Sequence, residues 1–308
     1  MGYDTIITDS IRHGGEALKS VFNRAVAFLL SVIIMLCTLC SCDMLSEVGA
    51  LFGYGRIKAH FLDVGQGDSI FIELPDGKTM LIDSGENYHG EGILKYIKDR
   101  GKSKIDYLVG THPHTDHIGS MPYIVRNFEI GSIFMPKAGT NTEAYTSLLK
   151  AVRRKGLKVT KAAAGLSICD KEDLKIDVIG PKKIDNDNLN NCSAVIKITF
   201  KGNSFLFTGD AEKAELEELE GDISAKVLKV GHHGSYTSTT KDLLEKVKPE
   251  IAVISCGKGN DYGHPNKSVL KLLKNAGCEI YRTDKQKTIT VTGDGKALSV
   301  LTGGEAIR

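Results

Sequence analysis

Directly after the apolar, strand-like run Ile105–Val109, the segment His112-Pro113-His114-Thr115-Asp116-His117 packs three imidazoles and one carboxylate into six residues. This constrains the fold more than any other feature, because so dense a set of polar donors at a strand end has to be met by partners from elsewhere in the chain. Borderline nitrogen and hard oxygen ligands suit zinc, manganese or iron. Along extended backbone His112 and His114 point to the same side, whereas Asp116 and His117 fall on the turn that opens the next helix. The expected arrangement gives one ion to the two histidines and a second to Asp116 and His117.

Two later segments supply the missing donors, each at the end of a strand-like run, where loops collect polar groups on one rim of a sheet. Phe207-Thr208-Gly209-Asp210 offers a carboxylate that can bridge two ions, although a Gly-Asp pair after a strand is also an ordinary turn. Val230-Gly231-His232-His233-Gly234-Ser235 offers paired histidines. The expected metal ligands are therefore His112, His114, Asp116, His117, His232 and a shared Asp210, with the choice between His232 and His233 a close one. Two ions about 3.5–4 Å apart stabilise the attacking and leaving oxygens of a phosphoryl displacement. Asp116, His233 and His264 are the catalytic candidates, His233 or His264 protonating the leaving oxygen or binding phosphate. Asp83, ending the run Leu81-Ile82-Asp83, is placed to orient a ligand loop, or is a turn aspartate. Asn191 and Ser193 are candidates to contact a phosphoryl oxygen, or form a plain turn.

Around these segments strand and helix signals alternate to the end of the chain. Residues 56–74 give two strands about a Gly-Gln-Gly-Asp turn, Pro75-Asp76-Gly77-Lys78 turns into a third, and Lys201-Gly202-Asn203 joins a second hairpin. Helices are expected over 92–100, 145–155 and 267–275, each followed by glycine. Two mixed sheets packed together, with helices on both outer faces, accommodate this order: an α/β, αββα sandwich over 56–308.

The net charge of +2 and a pI near 8.1 give no nucleic-acid footprint, and Arg153-Arg154-Lys155 reads as a solvated helix face. Cys169, Cys192, Cys256 and Cys278 are too dispersed for a disulfide scaffold and read as buried thiols. Cys37, Cys40 and Cys42 cluster instead at the end of a short apolar run flanked by Lys19 and Arg24, which reads as an export signal. Leu39-Cys40-Ser41-Cys42 resembles a bacterial lipobox, so residues 1–42 are expected to target a membrane, with Cys42 lipidated and 43–55 a linker. An uncleaved N-terminal anchor is the alternative. Both place the 56–308 domain outside the cytoplasm at a membrane surface.

Taken in order, FLDVGQGDS (61–69), LIDSG (81–85), THPHTDHIG (111–119), NNCS (190–193), LFTGDAE (206–212), KVGHHGS (229–235) and YGHP (262–265) resemble the metallo-β-lactamase superfamily, and within it the metallohydrolase domain of ComEC-type competence proteins. The resemblance spans about residues 56–302 and implies an αββα sandwich with a dinuclear zinc or manganese site at one edge and phosphodiester hydrolysis as its chemistry. It departs from those proteins in lacking a multi-helix membrane channel. β-Lactamases place another histidine where Asn191-Cys192-Ser193 stands here, which disfavours antibiotic hydrolysis. The resulting expectation is an extracytoplasmic, membrane-anchored phosphodiesterase or nuclease acting on DNA or another phosphodiester, its protein partners unknown. A phosphorylcholine-esterase-like cell-wall hydrolase and a non-catalytic DNA-uptake accessory protein are the alternatives.

Overall fold

A computed structural model describes residues 55–307, so the export signal, the lipobox with Cys42 and nearly all of the 43–55 linker lie outside the described residues. Side chains alternate across a strand, and that alternation divides the apolar residues between two faces. In β1 (Ile57–Phe61), β2 (Ile70–Glu73) and β3 (Thr79–Ile82), the residues Ile57, Ala59, Phe61, Ile70, Ile72, Met80 and Ile82 turn to one side, whereas Phe71 and Leu81 turn to the other. These three strands form an antiparallel meander. Parallel strands β4 (Lys104–Val109), β5 (Glu129–Met135) and β6 (Val159–Lys161) extend it.

The second sheet begins with antiparallel β7 (Leu166–Asp170), β8 (Leu174–Gly180), β9 (Val195–Phe200) and β10 (Asn203–Phe207). It continues in parallel through β11 (Val227–Lys229), β12 (Ile251–Ile254) and β13 (Glu279–Arg282). The C-terminal hairpin of β14 (Thr288–Gly293) and β15 (Leu298–Gly304) returns to the first sheet, β14 pairing antiparallel with β1. The sheet orders are β15-β14-β1-β2-β3-β4-β5-β6 and β13-β12-β11-β10-β9-β8-β7.

Between the sheets, Phe61, Ile72 and Ile82 meet Ile196, Ile198, Phe205 and Phe207, all essentially inaccessible. Each such side chain contributes roughly 1.5–3 kcal/mol on burial. Helices α1 (Gly90–Lys98), α2 (Thr115–Ile118), α3 (Met121–Asn127) and α4 (Glu143–Arg154) follow strands of the first sheet, and Ile93, Ile97, Ile118, Ile124 and Leu148 cover its outer face. Helices α5 (Lys213–Leu216), α6 (Lys241–Val247) and α7 (Lys267–Asn275) cover the outer face of the second through Leu216, Leu243, Val247 and Leu273. A short α8 (Thr283–Gln286) leads into β14. The expected αββα sandwich is thus the observed one. Strands β5, β7, β13, β14 and β15 were not assigned from sequence; β14 and β15 find their partner at the opposite end of the described chain, where no local pattern announces it. Among the described residues no helix is long and apolar enough to cross a membrane.

Candidate metal centre

The parallel strands of both sheets end on the same rim, so their loops converge. From the first sheet β3 delivers Asp83 and β4 delivers residues 111–117; from the second, β10 delivers Asp210, β11 delivers Lys229 to His233, and β12 delivers Ser255. Asp83, at φ 58°, accepts from the Thr111 N–H (2.8 Å) and hydroxyl (2.6 Å) and stands 2.8 Å from Nδ1 of His117. A carboxylate pairing with Nδ1 directs Nε2 of His117 away from it, towards the rim. Asp83 therefore fixes the start of the histidine loop.

Asp116, His117, Asp210 and His233 each bring one donor atom to a common point, all within 4.8 Å of one another. Nε2 of His117 is 3.2 Å from Oδ2 of Asp210 and 3.7 Å from Oδ2 of Asp116, while Nε2 of His233 is 3.4 and 3.3 Å from the same two atoms. His112 and His114 lie alongside, Nε2 of the former 3.0 Å from Nδ1 of the latter, and the rings of His112 and His117 are 4.2 Å apart. Nε2 of His117, Nε2 of His233 and Oδ1 of Asp210 are buried without a hydrogen-bond partner. Buried polar atoms are almost always satisfied. Imidazole nitrogens and carboxylate oxygens left unsatisfied around one point are a donor set for a divalent cation, and these residues fit one.

The electrostatics agree. Burial disfavours charge on His117, yet the carboxylates of Asp210, Asp116 and Asp83 outweigh it and hold the imidazole well above its ordinary pKa. Burial likewise opposes charge on His233, and Asp210, Asp116 and Asp68 overcome it. His112 behaves oppositely: burial and the charge on His117 push it well below the usual range. Protons on His117 and His233 stand where a cation would otherwise balance the acids.

Of the two adjacent histidines, the structure brings one to the cluster. His233, and not His232, joins Asp116, His117 and Asp210. Both residues have left-handed backbone, φ 48° and 54°, which turns the adjacent rings in different directions. Nδ1 of His233 lies 3.0 Å from the Ser255 carbonyl, which can only accept, so Nε2 is left to face the cluster. His232 sits partly exposed on the rim, Nδ1 3.3 Å from Glu212 and Nε2 3.7 Å from Asp210. The half-buried ring of His264 lies 5.5 Å from that of His232, beside the cluster and outside it. The Asn191 and Ser193 side chains are both engaged with neighbouring loops. The Asn191 amide accepts from the Glu212 N–H (3.2 Å) and donates to Asp185 (3.2 Å). The fully buried Ser193 hydroxyl accepts from the Asp210 N–H (3.1 Å) and lies 3.4 Å from Nδ1 of His112. Both hold the loops that carry the donors.

Three residues with structural roles at the site carried no assignment from sequence. Lys229, with no accessible surface, places Nζ 2.5 Å from Oδ2 of Asp68, whose Oδ1 is 3.5 Å from Nδ1 of His233. Burial would raise the Asp68 carboxyl, but Lys229 and His233 bring it down to about 2. Glu212 accepts from Asn188 (2.9 Å), Asn190 (3.3 Å) and Thr237 (3.0 Å) while facing His232, binding three loops together. The signal for Asp68 was present in the Gly65-Gln66-Gly67-Asp68 turn. Gly67, at φ 129°, passes so close to the histidine loop that a Cβ would stand 2.3 Å from the Asp116 carbonyl oxygen. Only glycine permits that approach.

Comparison with known proteins places the chain among relatives. The chain is 33% identical over 248 residues to ComE operon protein 3 of Bacillus subtilis, covering 74% of this chain and 32% of that protein. It is 32% identical over 219 residues to Recombination protein 2 of Haemophilus influenzae, covering 69% and 26%. A more distant relative, Endoribonuclease ysh-1 of Neurospora crassa, is 30% identical over 193 residues, covering 55% and 22%. The chain therefore spans no more than about a third of the length of these curated relatives. Residues 62–258, which include all four converging donors, match the family model described as the metallo-beta-lactamase superfamily, and the chain belongs to that superfamily.

Proposed function

We propose that this protein is a metal-dependent phosphodiesterase acting outside the cytoplasm on DNA or another phosphodiester. The observation that carries the reading is the convergence of Asp116 with the buried His117, Asp210 and His233, the last three each with an unsatisfied polar atom, and with His112 and His114 alongside. The names of relatives that are a recombination protein and an endoribonuclease support a phosphodiester of nucleic acid as substrate.

Asp116, His117, Asp210 and His233 would hold a divalent ion, zinc or manganese, and His112 and His114, alongside, would serve a second. Such ions supply Lewis acidity towards a phosphoryl oxygen and make water a competent nucleophile near neutral pH. The chain's own residues do the rest. Asp83, Asp68 and the Ser255 carbonyl fix the ring orientations of His117 and His233. Ser193 holds the Asp210 backbone against His112. His232 and His264, on the accessible side of the cluster, donate hydrogen bonds to the substrate, His264 towards the leaving oxygen. Anchoring through the N-terminal segment, by a lipid on Cys42 or by an uncleaved signal, keeps the domain at a membrane surface.

The test is hydrolysis of bis(p-nitrophenyl) phosphate and of single- and double-stranded DNA by the purified chain, stripped of metal and reloaded with Mn²⁺ or Zn²⁺. Metal-dependent cleavage of both classes is expected, and Asp210→Ala should abolish it while retaining the wild-type circular dichroism spectrum. Wild-type turnover by folded Asp210→Ala, or no turnover with either metal despite stoichiometric binding, refutes the reading; the second result favours a non-catalytic role.

A further inference from the structure

Large apolar side chains are rarely left in water without a reason when they gather at one place. Among the described residues the most exposed aromatic side chains are Tyr88, Tyr236 and Tyr262, at 67%, 71% and 71% of their full accessibility. All three sit on loops of the metal rim. Tyr88 follows Asp83, Tyr236 follows the paired histidines, and Tyr262 precedes His264.

Tyr262 and Tyr236 are held in relation to each other. The Asn266 side chain accepts from the Tyr236 N–H (2.8 Å) and donates to the Gly263 carbonyl (3.2 Å), so one amide ties the two tyrosine loops together. From Tyr262 a series of rings leads inward. Tyr262 stacks on His264 at 5.8 Å and an interplanar angle of 22°, His264 meets His232 edge-on at 5.5 Å, and His232 lies 6.1 Å from His233. An exposed ring is thereby supported from beneath by a histidine, at the head of a path that ends on a donor of the cluster.

We propose that Tyr262, with Tyr236 beside it, is a stacking platform for the nucleobases of a single-stranded nucleic acid whose backbone crosses the metal centre. The inference rests on the phosphodiesterase reading and narrows its substrate to a strand with unpaired bases. Aromatic faces accept any base without reading its edges, and single-strand binders use them in this way. In a duplex the bases are stacked on one another and their faces are unavailable to a surface tyrosine. A poly(glycerol phosphate) carries no ring to stack.

The experiment separates binding from turnover. Fluorescence anisotropy with the full chain in detergent and EDTA reads the affinity for a labelled single-stranded 12-mer, the matching duplex and an abasic 12-mer with the same phosphates. The wild type should bind the single strand most tightly. Tyr262→Ala should weaken that binding roughly 5- to 100-fold and leave the abasic affinity unchanged, whereas Tyr262→Phe, which keeps the ring, should match the wild type. Equal binding of single-stranded and abasic probes, an equal loss on both in Tyr262→Ala, or displacement of the strand by poly(glycerol phosphate) as effective as by unlabelled strand overturns the proposal. Base-dependent binding by a chain that hydrolyses no phosphodiester with any metal sinks the phosphodiesterase reading and leaves the platform standing.

Discussion

Glu215 allows the balance between burial and charge to be measured away from the metal donors. It lies on α5 with 6% of its surface accessible, and neither carboxyl oxygen has a hydrogen-bond partner. The nearby lysines Lys182 and Lys183 pair with Glu220 and Glu218 instead. Burial, against a smaller lowering by the nearby Ser193 backbone N–H and with a slight push from Glu218, raises its pKa from 4.5 to about 9. The folded protein therefore keeps a proton that the unfolded chain releases above pH 4.5. Because the unfolded state binds fewer protons in this window, stability falls as pH rises from about 4.5 to about 9, by roughly 1.4 kcal/mol per pH unit. Glu215→Gln keeps the shape and removes the titration. Between pH 5 and pH 8 the variant should gain about 4 kcal/mol relative to wild type. Packing differences between the acid and the amide do not depend on pH and cancel in this comparison. Urea denaturation followed by circular dichroism at pH 5, 6.5 and 8, on both proteins stripped of metal, measures it. Parallel pH profiles, agreeing within about 1 kcal/mol, would show that Glu215 is ionised or solvated in the folded state and refute the argument.

Other perturbations address the rim. His233→Ala should lose bound zinc or manganese by elemental analysis, whereas His232→Ala should keep the metal and lose turnover; the reverse pattern would exchange the two assignments. Lys229→Met leaves the buried Asp68 without its lysine and with only His233 beside it, and denaturation should show a loss of about 3–5 kcal/mol, partly restored by adding Asp68→Asn; a loss under about 1 kcal/mol would mean that water reaches the pair. Gly67→Ala should cost about 2 kcal/mol or more and lower metal affinity, because its Cβ has to displace the Asp116 carbonyl; an unchanged melting temperature and metal content would show that the loop yields freely.

The parts of this site legible in the sequence are those written locally. The His112–His117 segment carries its own strand and turn, and the Gly-Asp at 209–210 announces a carboxylate at a strand end. His233 was not separable from His232, because their directions follow from two consecutive residues in left-handed backbone, a conformation that side chains resist and that a local pattern does not announce. Lys229 was hidden for another reason. A lysine in a strand reads as solvent-facing, and only the fold, by bringing Asp68 against it, makes its burial tenable. Asn191 and Ser193 have the chemistry of substrate contacts, but in the fold their side chains are engaged by Glu212, Asp185 and the Asp210 backbone. The αββα layering was readable from alternation, whereas the place of β14 beside β1 depends on pairing between the two ends of the domain.

The donors divide between the two sheets: Asp116 and His117 come from the first, Asp210 and His233 from the second. A cation held by these four would be a clasp across the edge where the sheets' loops converge, and neither sheet could close it alone. During synthesis the early half of the chain presents Asp116 and His117 before Asp210 and His233 exist, so a cation held by all four would be bound fully only once β10 and β11 have docked. Metal occupancy then reports completed folding. At a free ion concentration a hundred times the dissociation constant the clasp adds about 2.7 kcal/mol, and a chelated chain should first open at this edge, visible as hydrogen exchange in the 111–119 and 230–235 loops ahead of the strands that carry them.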